Sequence, residues 1–333
     1  MNIFLTGGSG FIGNALLRKL IQSGEHVHLL LRPKAAEQQL HYQNITVFKG
    51  DILDTENIEQ AMQGCDRVYH LAAMAKNWSF NPYDFELVNV NGTANVLRIA
   101  GQLGIKKVVF TSTSMIFGPS NGQPVTESQS KQDFIYTDYA RAKAKSEQLI
   151  SEFTQNDLKI VSVYPTRLFG PGLMTEGNAA TQMIKLYMQG KWRYILGNGS
   201  AYGNYAYIDD IVDGHIQAMQ YGKSGSRYIL GGDNLSYNDF FRQIDAITGK
   251  NHLLLHIPLP VALFFSRIEL IKARLLHIYP LITPEWVRVF GQDWLFSSDL
   301  AQKEIGYIIT PFEKAMRRTI EWLHLQPAWR KRR

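Results

Sequence analysis

Tyr139 and Lys143 are residues whose types and spacing suit acid–base chemistry. They are four positions apart in the chain, so on a helix they lie on one face, one turn apart. An ammonium group so placed lowers the pKa of a phenol from its usual value of about 10. The pair could therefore move a proton. Tyr187 and Lys191 have the same spacing, so spacing alone does not identify the functional tyrosine.

The surroundings separate the two tyrosines. Tyr139 follows an apolar, strand-like run that ends in the hydroxyl cluster at residues 111–114, whereas Tyr187 follows a loop rich in proline and glycine. Hydroxyl groups at the carboxyl end of a strand lie where a parallel sheet binds its ligands. We therefore interpret Tyr139 and Lys143 as the functional pair, and Tyr187 and Lys191 as surface helix residues.

Three glycines follow the first strand-like run at regular spacing. Gly7, Gly10 and Gly13 lie between that run and the first helical pattern. Glycines in this place permit a tight turn, close approach of a pyrophosphate to backbone N–H groups, and close packing of the helix on the strand. The spacing differs from the common G-x-G-x-x-G fingerprint. Its placement between strand and helix nevertheless predicts a dinucleotide-binding turn.

The residue at the end of the second strand-like run discriminates between dinucleotides. A carboxylate there binds the 2′-hydroxyl of the adenosine ribose, whereas an arginine suits a 2′-phosphate. The sequence has Arg32 at this position and no aspartate between His26 and Gln43. It therefore favours NADP(H) over NAD(H), and a solvated basic loop is the alternative interpretation.

These residues are positioned by short β-branched runs that alternate with helical patterns, as is typical of parallel β-α-β units. Six strands are expected, at residues 2–6, 27–31, 45–48, 68–71, 108–112 and 160–164. Helices are expected from Phe11, from Asp54, and over residues 84–103 and 138–153. The predicted fold class is α/β, a doubly wound parallel Rossmann sheet with a smaller C-terminal substrate-binding region.

The chain is expected to divide into two regions. Residues 1–167 are predicted to form the NADP-binding Rossmann domain, and residues 168–333 mainly the substrate-binding region. Strand-like runs at 205–208 and 228–230 predict that segments near 209–231 return to the Rossmann domain. No linker rich in Ser or Gly separates the regions, so we expect them to pack tightly.

Composition and charge exclude several classes of protein. The 333 residues are 45% hydrophobic and 19% charged, which excludes a disordered or fibrous chain. The net charge of +6 resides in residues 314–333, because residues 1–313 hold 28 basic and 28 acidic residues. The excess of basic residues therefore describes a tail and not a nucleic-acid-binding face.

Several expected absences follow from the sequence. Cys65 is the single cysteine, so it cannot form an internal disulfide, and we expect it to be inert. The Cys, His and acidic residues show no metal-ligand spacing, so no metal is expected. The chain has neither a signal-peptide pattern nor an uncharged apolar run of about 20 residues. We therefore expect a cytoplasmic protein without a transmembrane segment.

Taken in order along the chain, the motifs resemble the extended short-chain dehydrogenase/reductases of the NAD-dependent epimerase/dehydratase superfamily. The resemblance is strongest to the dihydroflavonol 4-reductase and 3β-hydroxysteroid dehydrogenase branch, and it runs almost end to end. The matching motifs are TGGSGFIG at residues 6–13, GDI at 50–52, HLAA at 70–73, NVNGT at 89–93, YIDD at 207–210 and LGGDNLS at 230–236.

The resemblance implies roles for individual residues. Thr113, Tyr139 and Lys143 would be the catalytic set: Tyr139 exchanges a proton with the substrate oxygen, Thr113 hydrogen-bonds that oxygen, and Lys143 tunes the phenol and holds the nicotinamide ribose. The residues expected around the dinucleotide are Gly7, Gly10, Phe11, Ile12, Gly13, Arg32, Asp51, Ile52, Leu71, Ala72, Ala73, Tyr139, Lys143 and Pro165. His70, at the end of a buried strand, is expected to be structural.

Two departures from the family pattern bear on the reaction. Dehydratases of keto-sugars have an Asp-Glu pair after the catalytic threonine, but this chain has Ser114 and Met115. Nucleotide-sugar epimerases have an arginine that clamps the diphosphate just before a Tyr-Ile-His-like strand, and residues 203–207 contain none. Arg167 or Arg193 could substitute for it.

We therefore expect NADP(H)-dependent reduction of a ketone or aldehyde, or oxidation of a secondary alcohol, on a hydrophobic small molecule. A nucleotide-sugar epimerase of the same family and a non-catalytic NADP-sensing protein remain as alternatives. No nucleic-acid partner is expected. The resemblance also implies a homodimer formed through the helices near residues 84–103 and 138–153.

Loops after the strands carry the residues expected to meet the substrate. Trp78, Phe117, Phe169 and Met174 follow strands on the side where doubly wound folds bind ligands. The apolar stretch 258–284 is predicted to form an amphipathic helix that covers this pocket. Contact of that stretch with a membrane surface is the alternative, supported by the aromatic and basic residues 329–333.

Overall fold

The computed structural model of the protein describes residues 1–33, 43–129, 135–155 and 158–326. In chain order, its elements are β1 (Asn2–Thr6), α1 (Phe11–Gln22), β2 (His26–Leu31), β3 (Ile45–Lys49), α2 (Thr55–Met62), β4 (Arg67–His70), α3 (Tyr83–Glu86), α4 (Gly92–Gln102), β5 (Lys107–Thr111), α5 (Asp138–Gln155), β6 (Ile160–Pro165), β7 (Arg167–Phe169), α6 (Ala179–Met188), β8 (Tyr194–Leu196), β9 (Tyr202–Tyr207), α7 (Ile208–Tyr221), β10 (Arg227–Leu230), β11 (Asp233–Ser236), α8 (Tyr237–Thr248), β12 (Leu255–Ile257), α9 (Leu259–Leu276), α10 (Pro284–Phe290), α11 (Asp299–Ile305) and α12 (Phe312–Leu325).

Seven parallel strands form the central sheet in the order β10-β6-β5-β4-β1-β2-β3. The predicted doubly wound parallel sheet is therefore confirmed. The strand order reverses between β1 and β4, and folds of this kind bind ligands in the crevice beyond the carboxyl ends of the strands at such a point. Because all seven strands are parallel, the residues that follow them converge on one edge of the sheet.

Helices cover both faces of this sheet, which explains why its strands are nearly continuous runs of apolar residues. On one face, Leu5 and Leu29 pack in a core cluster with residues of α1 and α7. On the other face, Phe4 and Val68 pack with residues of α2, α4 and α5. The glycine turn thus joins a fully buried strand to a packed helix.

The helix predicted over residues 84–103 exists, but a π-helical turn over Leu87–Asn91 interrupts its register between α3 and α4. A π-helical turn inserts an extra residue, leaves backbone groups free for other partners, and is frequent at functional sites. Here the turn carries Asn89, whose side chain is fully buried. No periodicity in the sequence indicated this insertion.

Two small sheets lie outside the central sheet. In the first, β9 pairs with β7 in parallel and with β11 in antiparallel fashion, and in the second β12 pairs with β8. The strand predicted at residues 205–208 corresponds to β9, which begins earlier, at Tyr202. It ends at Tyr207 because Ile208 begins α7. Within the described residues, no helix is long and apolar enough to cross a membrane.

Candidate active site

The glycine turn after β1 is closely packed against its surroundings. Gly7 has a φ of +78°, and a Cβ atom there would lie 2.6 Å from the backbone nitrogen of Ala72. A Cβ atom at Gly13 would lie 2.2 Å from the carbonyl oxygen of Gly7. Larger residues are thus excluded at both positions. The Gly10 N–H donates to the Gly7 carbonyl at 2.9 Å, which closes the turn.

The first helix begins at this turn in a way that suits an anion. Gly10 is the N-cap residue of α1, no side chain in the described part of the chain caps the helix, and its first turn contains no acid. The first N–H groups of a helix lack partners within the helix, and the helix dipole favours negative charge beside them. The turn and α1 therefore fit the pyrophosphate of a dinucleotide.

Other residues expected around the dinucleotide follow strands at the same edge. Arg32 is exposed directly after β2, whereas Pro165 is buried at the end of β6. After β3, the Asp51 carboxylate accepts from the Leu53 N–H at 3.0 Å, and Ile52 is buried. Three of the remaining residues follow β4 and are partly buried: Leu71, Ala72 and Ala73. At the start of α1, the Phe11 side chain is buried and that of Ile12 is partly buried.

The structure brings Thr113 and Tyr139 together. Thr113 follows β5 and caps a short 3-10 turn, with its hydroxyl accepting from the Met115 N–H at 3.3 Å. Tyr139 lies in the first turn of α5, and its phenol lies beside the Thr113 side chain. Burial raises the pKa of Tyr139 to about 12, and the Thr113 side chain opposes that rise. The expectation that the ammonium of Lys143 lowers the pKa of this phenol is therefore wrong, because the effect of burial is larger. The phenol is therefore protonated at neutral pH.

Lys143 lies one turn further along α5, with 1% of its surface exposed. Its Nζ donates to the Thr111 carbonyl at 2.6 Å and lies 4.2 Å from the centroid of the Phe110 ring. Burial lowers the pKa of Lys143 to about 7, and the charge of Glu147 opposes that shift. The side chain is thus fixed at the end of β5, where a buried cation must stay close to its partners.

Two buried histidines support this arrangement. His70 Nδ1 is 2.8 Å from the Thr6 hydroxyl, and its Nε2 is 3.0 Å from the Thr93 hydroxyl, which itself donates to the Asn89 carbonyl. Since Thr93 uses its proton in that bond, His70 Nε2 is the donor to Thr93 and Nδ1 accepts from Thr6. Burial lowers the pKa of His70 to about 3, so it stays neutral.

The second histidine positions the strand that binds Lys143. His215 Nε2 is 2.9 Å from the Thr111 hydroxyl, and its Nδ1 is 2.7 Å from the Ile211 carbonyl. Burial lowers the pKa of His215 to about 4. The neutral ring therefore donates to the carbonyl from Nδ1 and accepts from Thr111, which joins α7 to the end of β5.

Asn89 is a site residue to which the sequence analysis assigned no role. Its side-chain amide binds both backbone groups of Met74, at 2.7 and 3.2 Å. Its carbonyl accepts from the hydroxyls of Thr93 and Ser146, at 2.6 and 2.7 Å. It therefore fixes the loop after β4 relative to α5. The only signal in the sequence is its place within the NVNGT motif.

Two of the four residues expected to contact substrate are in the core instead. Phe117 is 0% exposed and its ring lies 5.0 Å from that of Tyr164. Phe169 is 1% exposed and packs 5.3 Å from Phe312. Both side chains fill space under the loops, so the expectation that they form the substrate wall is wrong: neither presents a surface to a ligand.

The other two substrate candidates remain accessible. Met174 is exposed, and Trp78 is partly buried in the loop after β4. The Trp78 ring packs against those of Phe80 and Tyr279, with centroids 4.6 and 5.8 Å apart. The Trp286 indole donates to the Asn77 carbonyl at 3.1 Å. This aromatic contact joins the loop after β4 to the segment between α9 and α10.

The second Tyr-Lys pair is not a surface helix pair. Tyr187 is fully buried, and its hydroxyl donates to Asp245 at 2.6 Å. Lys191 lies beyond the end of α6 and is exposed. The expectation that Tyr187 lies on the surface is therefore wrong, because the apolar face of α6 includes this ring.

Within the described residues, the remaining candidates have no site chemistry. Burial raises the pKa of the Cys65 thiol to about 12, so the reactive thiolate does not form at neutral pH. Among the described residues, no group of three or more His, Cys, Asp or Glu side chains could hold a metal ion. The basic residues 330–333 lie outside the described residues.

Comparisons with known proteins agree with this geometry. A model of the NAD dependent epimerase/dehydratase family matches residues 3–231. The chain is 29% identical over 325 residues to a Synechocystis sp. protein with the provisional name dihydroflavonol 4-reductase, covering 96% of this chain and 93% of the relative. It is 26% identical over 333 residues to the 2-alkyl-3-oxoalkanoate reductase of Shewanella oneidensis, covering 95% of this chain and 84% of the relative.

The fold is also that of a solved epimerase. The structure of UDP-glucose 4-epimerase from Thermotoga maritima with UDP-glucose superposes with a TM-score of 0.80 at 22% identity, covering 97% of this chain and 99% of that chain. This likeness concerns the fold alone. The chain belongs to the NAD dependent epimerase/dehydratase family, and it is an enzyme of the extended short-chain dehydrogenase/reductase type.

Proposed function

We propose that this enzyme is an NADP(H)-dependent reductase of a ketone or aldehyde on a hydrophobic small molecule, or the corresponding alcohol dehydrogenase in reverse. The observation that carries the proposal is the placement of the Tyr139 phenol beside the Thr113 side chain, with buried Lys143 one turn away on α5. Thr113 follows β5, and Lys143 binds the last carbonyl of that strand, at the sheet edge where the glycine turn and α1 fit a pyrophosphate.

The protein residues divide the chemistry among them. When bound, a reduced nicotinamide dinucleotide would supply the hydride that the carbonyl carbon needs. Tyr139, protonated because its pKa is raised to about 12, donates its proton to the carbonyl oxygen, and the alcohol forms. The Thr113 hydroxyl hydrogen-bonds the same oxygen and orients it. Positioned acid–base catalysis of this kind contributes about 10²–10⁴-fold, and the remaining acceleration comes from holding the reactants in line.

Lys143 and Arg32 would contact the dinucleotide at its two ends. Lys143 would hold the nicotinamide ribose from its place at the end of β5, and its charge would ease loss of the Tyr139 proton. Arg32 is exposed directly after β2, where a guanidinium suits a 2′-phosphate. The exposed position of Arg32 supports NADP(H) over NAD(H) as the cofactor.

The proposal of a hydrophobic substrate is supported by the accessible Trp78 and Met174 and by the name of the alkyl-oxoalkanoate reductase relative. Burial of apolar surface contributes roughly 25 cal/mol per Å². A nucleotide sugar would need a clamp for its diphosphate. The Arg167 guanidinium donates to the hydroxyls of Tyr205 and Tyr237, at 3.2 and 2.8 Å, so it is already engaged.

A substrate screen tests the proposal. The purified enzyme is given NADPH with long-chain 3-keto compounds, steroid ketones, flavonoid ketones and simple aldehydes, and NADPH consumption is followed by absorbance. UDP- and dTDP-sugars are incubated in parallel and analysed by chromatography. We expect NADPH consumption with at least one apolar carbonyl compound. Epimerised nucleotide sugar formed without net NADPH consumption would overturn the proposal.

A further inference from the structure

Helix α9 exposes its large apolar residues and buries its small ones. The buried residues of this helix are Ala262, Ser266 and Ala273, and small side chains allow a helix to lie close to the elements beneath it. An amphipathic helix therefore occupies residues 259–276 of the predicted stretch 258–284, but its orientation is the reverse of the one expected. Its large apolar side chains do not cover a pocket; they point outward.

The exposed apolar residues form one stripe along the helix. Phe264, Ile268, Ile271 and Leu275 recur at helical spacing opposite the buried small residues, and Phe264 and Leu275 are 65% and 75% exposed. Further exposed apolar residues adjoin the stripe in the chain: Val261, Leu276, Ile278, Tyr279 and Leu281. A contiguous apolar surface of this kind on a folded protein marks an interaction site.

The charges beside the stripe are positive. At 3.6 residues per turn, Arg267 and Arg274 lie on one side of it and Lys272 on the other, and all three are exposed. The one acid of the helix, Glu269, lies towards the buried side with 12% of its side chain exposed. Its carboxylate accepts from Lys272 at 3.3 Å and from the Leu281 N–H at 3.4 Å. The exposed border of the stripe therefore carries cations alone.

We propose that α9 and the segment that follows it dock on a lipid bilayer surface that carries anionic headgroups. The apolar stripe enters the boundary between headgroups and acyl chains, and the flanking Arg and Lys side chains contact the headgroups, as in interfacial amphipathic helices. A second copy of the chain fits less well. In a symmetric contact the cations on the border of one stripe would face those of the other, with no exposed acid of α9 to pair with them.

Docking through this surface orients the active site towards the bilayer. Tyr279 contacts the Trp78 and Phe80 rings of the loop after β4, and this loop begins at the sheet edge that carries the glycine turn. Tyr and Trp side chains favour the boundary of a membrane. Membrane docking would thus place this loop beside the lipid. The docking itself is independent of the reaction proposed above.

The test uses the full chain and sedimentation with extruded vesicles. Vesicles of phosphatidylcholine alone are compared with vesicles that also contain phosphatidylglycerol, at low and high salt. We expect binding to the anionic vesicles that weakens as salt increases. The double variant Phe264→Glu/Leu275→Glu should bind more than about tenfold more weakly, because two exposed apolar anchors become charged. The single variants Arg267→Gln, Lys272→Gln and Arg274→Gln should each weaken binding about fivefold.

A matched double variant controls for added negative charge. Tyr221 and Ile308 are 58% and 72% exposed outside α9, so Tyr221→Glu/Ile308→Glu adds the same charge and should keep most of the binding. Unchanged thermal unfolding of all variants would show that they fold. Binding retained by the α9 double variant would assign attachment to another part, such as the basic C-terminal residues, and would overturn the proposal.

Measurement of the oligomeric state distinguishes a lipid surface from a second copy of the chain as the partner of α9. Sedimentation velocity without vesicles should give the same mass for the wild type and the α9 double variant. A wild type that fails to bind anionic vesicles contradicts the proposal. An α9 double variant that loses a dimer present in the wild type would instead identify a second copy of the chain as the partner.

Discussion

The phenol of Tyr139 lies beside the side chain of Thr113, although the two residues belong to different elements. Thr113 follows β5, and Tyr139 lies in the first turn of α5. The proton donor and the hydroxyl that would orient the substrate oxygen are therefore aligned by the fold before a ligand arrives. Preorganisation of this kind removes the cost of ordering these groups during the reaction.

Lys143 gives a pH-dependent contribution to stability whose sign follows from its burial. Its pKa is about 7 in the folded enzyme, below the usual value of about 10.4. Between these values the unfolded chain binds a proton that the folded chain does not, so the stability of the folded state rises with pH. Below pH 7 both states are protonated, and the full penalty of the buried charge remains.

The variant Lys143→Met removes this dependence. From pH 7 to 9, the free energy of unfolding of the wild type should rise by about 2 kcal/mol relative to that of the variant. Urea unfolding at several pH values measures both curves, and the variant's own curve corrects for other titrating groups. Parallel curves for the two proteins would show that Lys143 keeps an ordinary pKa and is not buried as described.

The glycine turn gives a steric prediction with an internal control. Gly13→Ala should destabilise the enzyme by roughly 1–3 kcal/mol or more, because the new Cβ would meet the Gly7 carbonyl oxygen at 2.2 Å. It should also weaken dinucleotide binding, since the turn must open. Gly101→Ala lies in α4, where no atom of the described residues outside the adjoining helix backbone comes within 4 Å of the new Cβ, and it should stabilise by up to about 1 kcal/mol. Equal effects in thermal unfolding would contradict the packing described for the turn.

Arg32 gives the prediction for the cofactor. NADPH should bind more tightly than NADH, and Arg32→Asp should weaken NADPH binding by about 10–100-fold, because a charge-assisted bond contributes about 1.5–3 kcal/mol. NADH binding should change little or improve. Isothermal titration with both dinucleotides measures this, and Arg18→Asp, at an exposed residue two turns into α1, is the control. Equal affinities of the wild type for the two dinucleotides would exclude the role proposed for Arg32.

Much of the fold could be predicted because its signals are local. The glycine triplet, the hydroxyl-rich end of β5 and the alternation of strands and helices each depend on short stretches of sequence. Because the strands are connected so that all run parallel, the segments that carry Gly7, Thr113 and Tyr139 are expected at one edge of the sheet from the order of the elements alone. The resemblance to the reductase branch added the role of Thr113, which no periodicity contains.

The parts that were wrong depend on tertiary packing. An aromatic residue in a loop can reach the ligand or fill the core beneath it, and Phe117 and Phe169 do the latter. The burial of Tyr187 depends on α8, which supplies its partner Asp245. The outward face of α9 was unpredictable because large apolar residues normally face the core. The π-helical turn at Asn89 leaves no pattern in the side chains.

The central claim is that Tyr139 is the proton donor of a carbonyl reductase. Tyr139→Phe should lower kcat for reduction of the best ketone by at least about 100-fold, while the Kd for NADPH stays within about twofold. Tyr221→Phe, at a tyrosine that is 58% exposed, should change neither quantity. Tyr187→Phe is unsuitable as a control because its hydroxyl binds Asp245.

The decisive measurement is therefore single-turnover reduction of that ketone by the NADPH-loaded Tyr139→Phe enzyme, followed beside the wild type. The proposed mechanism predicts a chemical step slowed by at least about 100-fold, with the same fraction of enzyme loaded with cofactor. A chemical step as fast as that of the wild type would contradict the assignment of Tyr139.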